Sequence, residues 1–247
     1  MPRLLSEASL VTDHMNINKK VNLALIAFFI NLNVSYSNPN QNNQLTDQEK
    51  REGWELLFDG EKIEGWRPYE SAAKEIKGWV IDNGTLHKPS KVRAGNIMTM
   101  KTYEDFEFSW EWKLESKGNN GVKYFITEER GTAVGHEYQM IDDSKVKDSY
   151  SSNASFYLIV KPSAEKPNRP MGTWNQSRII VKGNHVEHWL NGVKVLEYKC
   201  GSKEIMERVP KTKFKKYPGF GKKIRGHILL TDHNDACWYR NIKIKAL

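Results

Sequence analysis

The chain has 247 residues, 38 Lys or Arg against 30 Asp or Glu, a formal net charge of +8, and two cysteines, Cys200 and Cys237. Two cysteines allow one bridge at most, which excludes a disulfide framework, and sequence alone does not bring their Cα atoms together. Between Lys199 and Arg225 there are ten Lys or Arg and two Glu, so one insertion carries the whole charge imbalance. Its aromatics, Phe214, Tyr217 and Phe220, cluster around a Pro-Gly turn, a pattern of a solvated lysine-rich loop rather than a nucleic-acid platform.

Lys19 and Lys20 precede the apolar run VNLALIAFFINLNV, which ends in Ser35-Tyr36-Ser37 and then NPNQNNQ. A basic start, a short apolar core and small residues two apart predict a secretory signal peptide over 15–37 and an exported protein, periplasmic or extracellular. The run is short for a retained membrane span, so no integral membrane segment is expected. Met15 is the more ordinary start, which makes residues 1–14 an upstream extension. Residues 38–50 are rich in Asn and Gln and read as a linker. About 200 residues then remain, enough for one domain with its own core.

From residue 51 to 247 the pattern is one of short strands. WELLFDG is an apolar run closed by Asp-Gly, WVIDNGTLH turns at Asn83-Gly84, and FEFSWEWKL alternates strictly, with Phe106, Phe108, Trp110 and Trp112 on one face. Further strands are expected at VKYFI, HEYQMID, SFYLIV, SRIIVKG, HVEHWL, VKVLEY, HILL and WYRNIKI. Asn191-Gly192 between two alternating runs is the strongest hairpin signal. A single helix is expected, capped by Ser202 and stopped by Pro210. About a dozen strands without intervening helices predict an all-β, two-sheet antiparallel jelly-roll sandwich.

Seven motifs then fall in order: GWELLFDGEKIEGW, GWVIDNGTL, EDFEFSWEWKL followed by NNGVKYFI, GHEYQMIDD, TWNQSRIIVKGNHVEHWLNGVKVLEY, KYPGFGKK, and the tail GHILLTDHNDACWYRNIKIKAL. In this order they resemble the 3-keto-disaccharide hydrolase domain family, also described as 3-keto-glucoside lyase/hydratase, from Trp54 to Leu247. The resemblance implies a concanavalin-like, glucanase-like jelly roll exported by carbohydrate-degrading bacteria. It also implies action on glycosides whose C3 hydroxyl has been oxidised to a ketone, and hence an upstream sugar 3-dehydrogenase. Members often read LQDHGD where this chain reads LTDHND.

Strand periodicity divides HEYQMIDD into two faces: His136, Tyr138, Met140 and Asp142 on one, Glu137, Gln139, Ile141 and Asp143 on the other. Glu137 and Asp143 are roughly 20 Å apart along an extended strand, against about 5 to 5.5 Å for a retaining glycosidase pair. Ordinary double-displacement hydrolysis is therefore disfavoured. Keto-sugar chemistry asks instead for a base at C2, a proton donor to the leaving oxygen and a cationic partner for the enolate. Glu137 is the candidate base, His233 beside Asp232 the candidate proton-transfer group, and Lys123 the candidate cation at the enolate.

Gln139, Asn120 and Asp232 are candidate sugar-binding groups. Trp174 and Asn175, with Trp66 and Tyr69, are candidates for a stacking floor under a pyranose ring. Should a divalent cation bind, Asp142 with His233 is the candidate ligand set; no HxH or HExxH spacing argues for a tight site. His188 shares a face with Val186 and Leu190 and reads as a core histidine; Trp110 and Trp112 read as core. The competing function is a non-catalytic carbohydrate-binding jelly roll, and the discriminating feature is whether Glu137, Lys123 and His233 converge.

Overall fold

The computed structural model describes residues 42–70 and 75–247. The expected signal peptide and upstream extension lie outside the described residues. Among the described residues no helix is long and apolar enough to cross a membrane.

Strands are numbered in chain order. The larger sheet holds β1 (Trp54–Leu56), β3 (Val80–Asp82), β4 (Thr85–Lys88), β6 (Phe106–Leu114), β9 (Asn175–Lys182), β10 (His185–Leu190), β11 (Val193–Lys199) and β13 (Cys237–Ala246). Their order is β11-β10-β9-β6-β13-β4-β3, with β1 also on β13. The smaller sheet holds β2 (Trp66–Pro68), β5 (Ile97–Thr99), β7 (Asn119–Ile126), β8 (His136–Ile141) and β12 (His227–Leu230), in the order β2-β5-β12-β7-β8. The pairings in both sheets are antiparallel, as the jelly-roll expectation requires.

The alternation in β6 places Phe106, Phe108, Trp110 and Trp112 wholly inside. They meet the inward face of β8, where Trp110 stands edge-on to Tyr138 with ring centroids 5.0 Å apart. Asn191 and Gly192 both take positive φ, 47° and 84°, the geometry of a two-residue type I′ turn between β10 and β11. Asn83-Gly84 does the same between β3 and β4, with φ 48° and 71°. The expected helix exists as α2 (Lys203–Arg208), with the Ser202 side chain accepting from the Ile205 N–H. Cys200 and Cys237 are free, buried thiols.

Two expectations fail locally. SFYLIV is not a strand. Leu158 has φ 65°, and the Ile159 and Val160 N–H groups both donate to the Phe156 carbonyl, so the segment closes on itself along the edge of β8. The Asn/Gln-rich stretch, expected as a linker, is part of the domain from Asn42 onward. Its Asn43 N–H donates to Asn241 Oδ1 at 2.6 Å, and the Asn43 amide donates to the Gly84 carbonyl. A second helix, α1 (Asp47–Arg51), follows with a Thr46/Glu49 capping box, and Glu49 pairs with Lys243 of β13. The side-chain amides that suggested a solvated linker satisfy backbone groups here instead.

A buried polar chain joins the two sheets. His136 Nδ1 lies 2.7 Å from the Tyr198 hydroxyl, which is 2.7 Å from the Tyr124 hydroxyl, itself 2.9 Å from His188 Nε2. His188 Nδ1 is 3.0 Å from the Ala154 carbonyl, as a satisfied core histidine requires. Burial depresses the His188 pKa to about 4, and that of His136 well below its ordinary value. A depressed histidine contributes stability that is full above its unfolded pKa near 6.5 and is lost as pH falls toward the folded value. For His188 that window is pH 6.5 to 4, and the loss is about 3 kcal/mol. Urea unfolding at pH 7 and 4.5 should show a smaller acid loss in His188→Gln than in the parent; equal losses would contradict this account.

Candidate active site

β7 and β8 position the central pair. Lys123 and Glu137 are directly opposed in register, and both project from the face of the smaller sheet that points away from the core. Lys123 Nζ is 4.0 Å from Glu137 Oε2 and donates to the Ala133 carbonyl at 3.1 Å. Glu137 is only 6% exposed, so its charge acts in a poorly screened setting. Gly121 makes this geometry attainable: a Cβ at that position would lie 2.5 Å from Glu137 Oε1. The glutamate therefore lies across β7 in space that only glycine leaves open. Gly121→Ala should push the carboxylate aside and lower kcat/KM at least tenfold, since misplacement by about 1 Å costs on the order of a hundredfold. Activity within twofold of the parent would refute that role for Gly121.

His233 joins them from the turn between β12 and β13. Burial lowers its pKa below the ordinary histidine value; the charges that act on it are those of Glu137 first, then Lys123, Asp235 and Asp232. The imidazole is thus neutral at neutral pH, and the carboxylate that influences it most is Glu137 rather than its sequence neighbour. Lys123 and Glu137 thus oppose each other directly, and the charges of both act on His233.

Gln139 shares the outward face with Glu137, is 3% exposed and donates to Asn119 Oδ1 at 2.7 Å. Three other candidates have structural duties. Asn120 points into the sandwich with no exposure, and its Oδ1 accepts from Gly121 N–H, Thr231 Oγ1 and the Tyr239 hydroxyl. It braces the turn that carries His233 and does not face a substrate. Asp232 ion-pairs through Oδ1 with the wholly buried Lys88 at 3.2 Å, and Oδ2 accepts from the Gly95 N–H at 2.8 Å. Asn175 is buried in β9, its Oδ1 accepting from Arg169 N–H and the Asn191 amide.

Trp174 lies on the outer face of the larger sheet, with the Arg240 guanidinium 4.1 Å from its ring centroid and Lys113 Nζ 5.4 Å away. The expected stacking floor is therefore split across the sandwich: Trp174 and Glu137 belong to opposite outer faces. Trp66 is core, its indole N–H donating to the Leu57 carbonyl at 2.7 Å. Tyr69 does sit on the smaller sheet's outer face, packed against Met98, Ile126 and Leu229.

The Asp142 carboxylate caps a turn: Oδ1 accepts from Ser144 N–H and Oδ2 from Lys117 N–H. Both oxygens of Asp142, one of the two candidate ligands, thus accept from backbone N–H groups. Among the described residues, the group of three whose ligand atoms lie within 4.8 Å of one another is His185, Glu187 and Glu197, and Lys194 bridges its two carboxylates.

Several residues at the site escaped sequence reasoning. A pocket of about 180 Å³ beside Glu137 is lined by Lys123, Val134, Gly135, Lys213, Phe214, Lys216 and Tyr217. Tyr157, from the segment expected as a strand, has its phenol pKa raised by burial and by the Glu137 charge. In the lysine insertion Lys203, Lys211, Lys213, Lys215, Lys216 and Lys222 are exposed, as a solvated lysine-rich segment requires, but the aromatics turn inward. Phe214 and Phe220 are buried and stacked, with centroids 4.1 Å apart and planes 8° from parallel, which presses the insertion against the site. The charge concentration in residues 199–225 was the available signal.

The chain matches, over residues 53–245, the family model described as the 3-keto-alpha-glucoside-1,2-lyase-like domain. A curated relative from Bacteroides thetaiotaomicron, named 3-keto-disaccharide hydrolase, is 29% identical over 231 residues, covering 79% of each chain. A solved structure from Parabacteroides distasonis, described as a candidate glycosyl hydrolase, is 31% identical with a TM-score of 0.76, covering 83% of this chain and 99% of that one. A second from the same organism, with the same description, is 24% identical with a TM-score of 0.64, covering 78% of this chain and 99% of its own, a likeness of fold.

Proposed function

This chain belongs to the family of 3-keto-alpha-glucoside-1,2-lyase-like domains, and on that premise we propose that it cleaves 3-keto-glycosides by elimination and hydration. The observation that carries the reading is the direct opposition of Lys123 and Glu137, 4.0 Å apart, with burial lowering the His233 pKa and the charges of both residues acting on it. A carbohydrate hydrolase is the coarse identity that the relative's name supports.

The C3 ketone acidifies the C2 proton. Glu137 takes that proton, and the Lys123 ammonium stabilises the enolate oxygen as charge develops on it. The C1–O bond breaks as the C1–C2 double bond forms, leaving an unsaturated 3-keto sugar. His233, kept neutral by partial burial, carries a proton on one ring nitrogen and a lone pair on the other. It passes a proton to the departing C1 oxygen and recovers one from the water that adds at C1. Glu137 exchanges its proton with solvent and then delivers one to C2, which completes a net hydrolysis. An oxidoreductase that installs the ketone must act upstream, and we further propose export, on the charge and hydropathy pattern of residues 15–37.

The test incubates purified protein with a 3-keto-disaccharide and with its unoxidised parent, in ordinary water and in deuterium oxide. Release of 3-keto-glucose from the oxidised sugar alone, with deuterium at C2 beyond that acquired by free product without enzyme, is the expected result. Product that retains protium at C2 rules out elimination. Binding without turnover favours a sugar-binding module.

A further inference from the structure

The pocket beside Glu137 holds more positive charge than the proposed chemistry uses. Three lysines, Lys123, Lys213 and Lys216, line it against one carboxylate, Glu137. Lys123 is opposed by that glutamate at 4.0 Å, whereas Lys213 and Lys216 make no ion pair among the described residues. Both belong to a single 3-10 turn, Lys213–Lys216, started by Thr212, whose hydroxyl accepts from the Phe214 N–H at 3.1 Å. Three residues per turn make positions i and i+3 eclipse, so these two side chains project together while Phe214 between them is buried.

The ammonium groups are also held over aromatic rings. Lys213 Nζ lies 4.7 Å from the Tyr157 ring centroid and Lys216 Nζ 5.3 Å from that of Tyr217. Two like charges fixed on one turn repel each other, and an anion between them relieves that repulsion. A concave site lined by one sign of charge also concentrates ligands of the other. At about 180 Å³ the pocket is smaller than a typical whole-ligand site and suits one small group.

Resting on the keto-glycoside reading, we infer that the preferred substrate carries a fixed negative charge, a carboxylate or a sulfate or phosphate ester, on the part of the glycoside beyond the keto ring, received by Lys213 and Lys216. A nucleic-acid strand does not fit, because Phe214 and Phe220 are buried rather than offered for base stacking.

The experiment compares 3-keto-glycosides that differ only in the aglycone: neutral, carboxylated, sulfated or phosphorylated. At low ionic strength kcat/KM should favour at least one anionic form about tenfold, and the preference should collapse near 1 M salt. Lys213→Ala/Lys216→Ala should bring the anionic-to-neutral ratio close to one. Lys203→Ala/Lys222→Ala, which removes the same charge from elsewhere in the insertion, should leave the ratio unmoved. The binding of the corresponding unoxidised glycosides, measured by calorimetry, repeats the comparison without needing turnover. If no keto-glycoside is cleaved, the proposed function fails, and the binding arm still decides this inference. Equal anionic and neutral values in both arms, or a ratio indifferent to Lys213 and Lys216, would overturn it.

Discussion

Glu137→Gln is expected to lower kcat/KM on a 3-keto-disaccharide by a factor of about 10² to 10⁴, the usual range for loss of a general base. Glutamine has nearly the shape of glutamate, so it fills the space above Gly121 without the Cβ clash that position forbids. Lys123 keeps its hydrogen bond to the Ala133 carbonyl in the variant, which limits the structural cost of removing its charged partner. The effect should accordingly fall on kcat more than on the melting temperature. Lys123→Met and His233→Asn should each be deleterious too, and pairing either with Glu137→Gln should cost far less than the product of the single effects, because the three act as a unit. Retention of activity within threefold in Glu137→Gln would remove the glutamate from the mechanism.

The strands that were legible in the sequence carry a strong period or a demanding turn. FEFSWEWKL alternates over nine residues, and Asn191-Gly192 tolerates the positive φ of a type I′ turn, so local chemistry and tertiary structure agree there. SFYLIV has strand composition but pairs with no second long strand. Positive φ at Ala154 and Leu158 folds it against the edge of β8, a tertiary choice that composition does not reveal. β2 and β5, three residues each, are too short for any period to emerge.

At the site, period-2 reasoning separates Glu137 and Gln139 from His136, Tyr138 and Met140, because β8 is regular and one of its faces packs on the core. It fails for Trp174 and Asn175. Adjacent residues on a strand point to opposite faces, so the two cannot both line one surface, and neither faces the smaller sheet's outer side. The contribution of Lys213 and Lys216 was hidden for another reason. A charge run usually reports a solvated face, and the Phe214–Phe220 stack that docks this one is a contact within the insertion that spacing alone does not specify.

Asp232→Ala is expected to destabilise the protein by about 3 to 5 kcal/mol, the cost of removing one member of a buried ion pair. Lys88 has no exposure and Asp232 is only 13% exposed, so solvent cannot replace the lost carboxylate. The same substitution frees the Gly95 N–H, which binds the second carboxylate oxygen, and loosens the tie between the 94–96 loop and the turn that carries His233. For a domain of this size the loss corresponds to a fall in melting temperature of roughly 10 °C. Adding Lys88→Met to Asp232→Ala removes the stranded charge and should recover much of the stability, because an apolar side chain of similar length replaces an unpaired ammonium. It should not recover the anchoring of the His233 turn, so activity should remain depressed when stability returns. A single variant within 1 kcal/mol of the parent, or a double variant no more stable than the single, would show that Asp232 serves something other than the buried lysine.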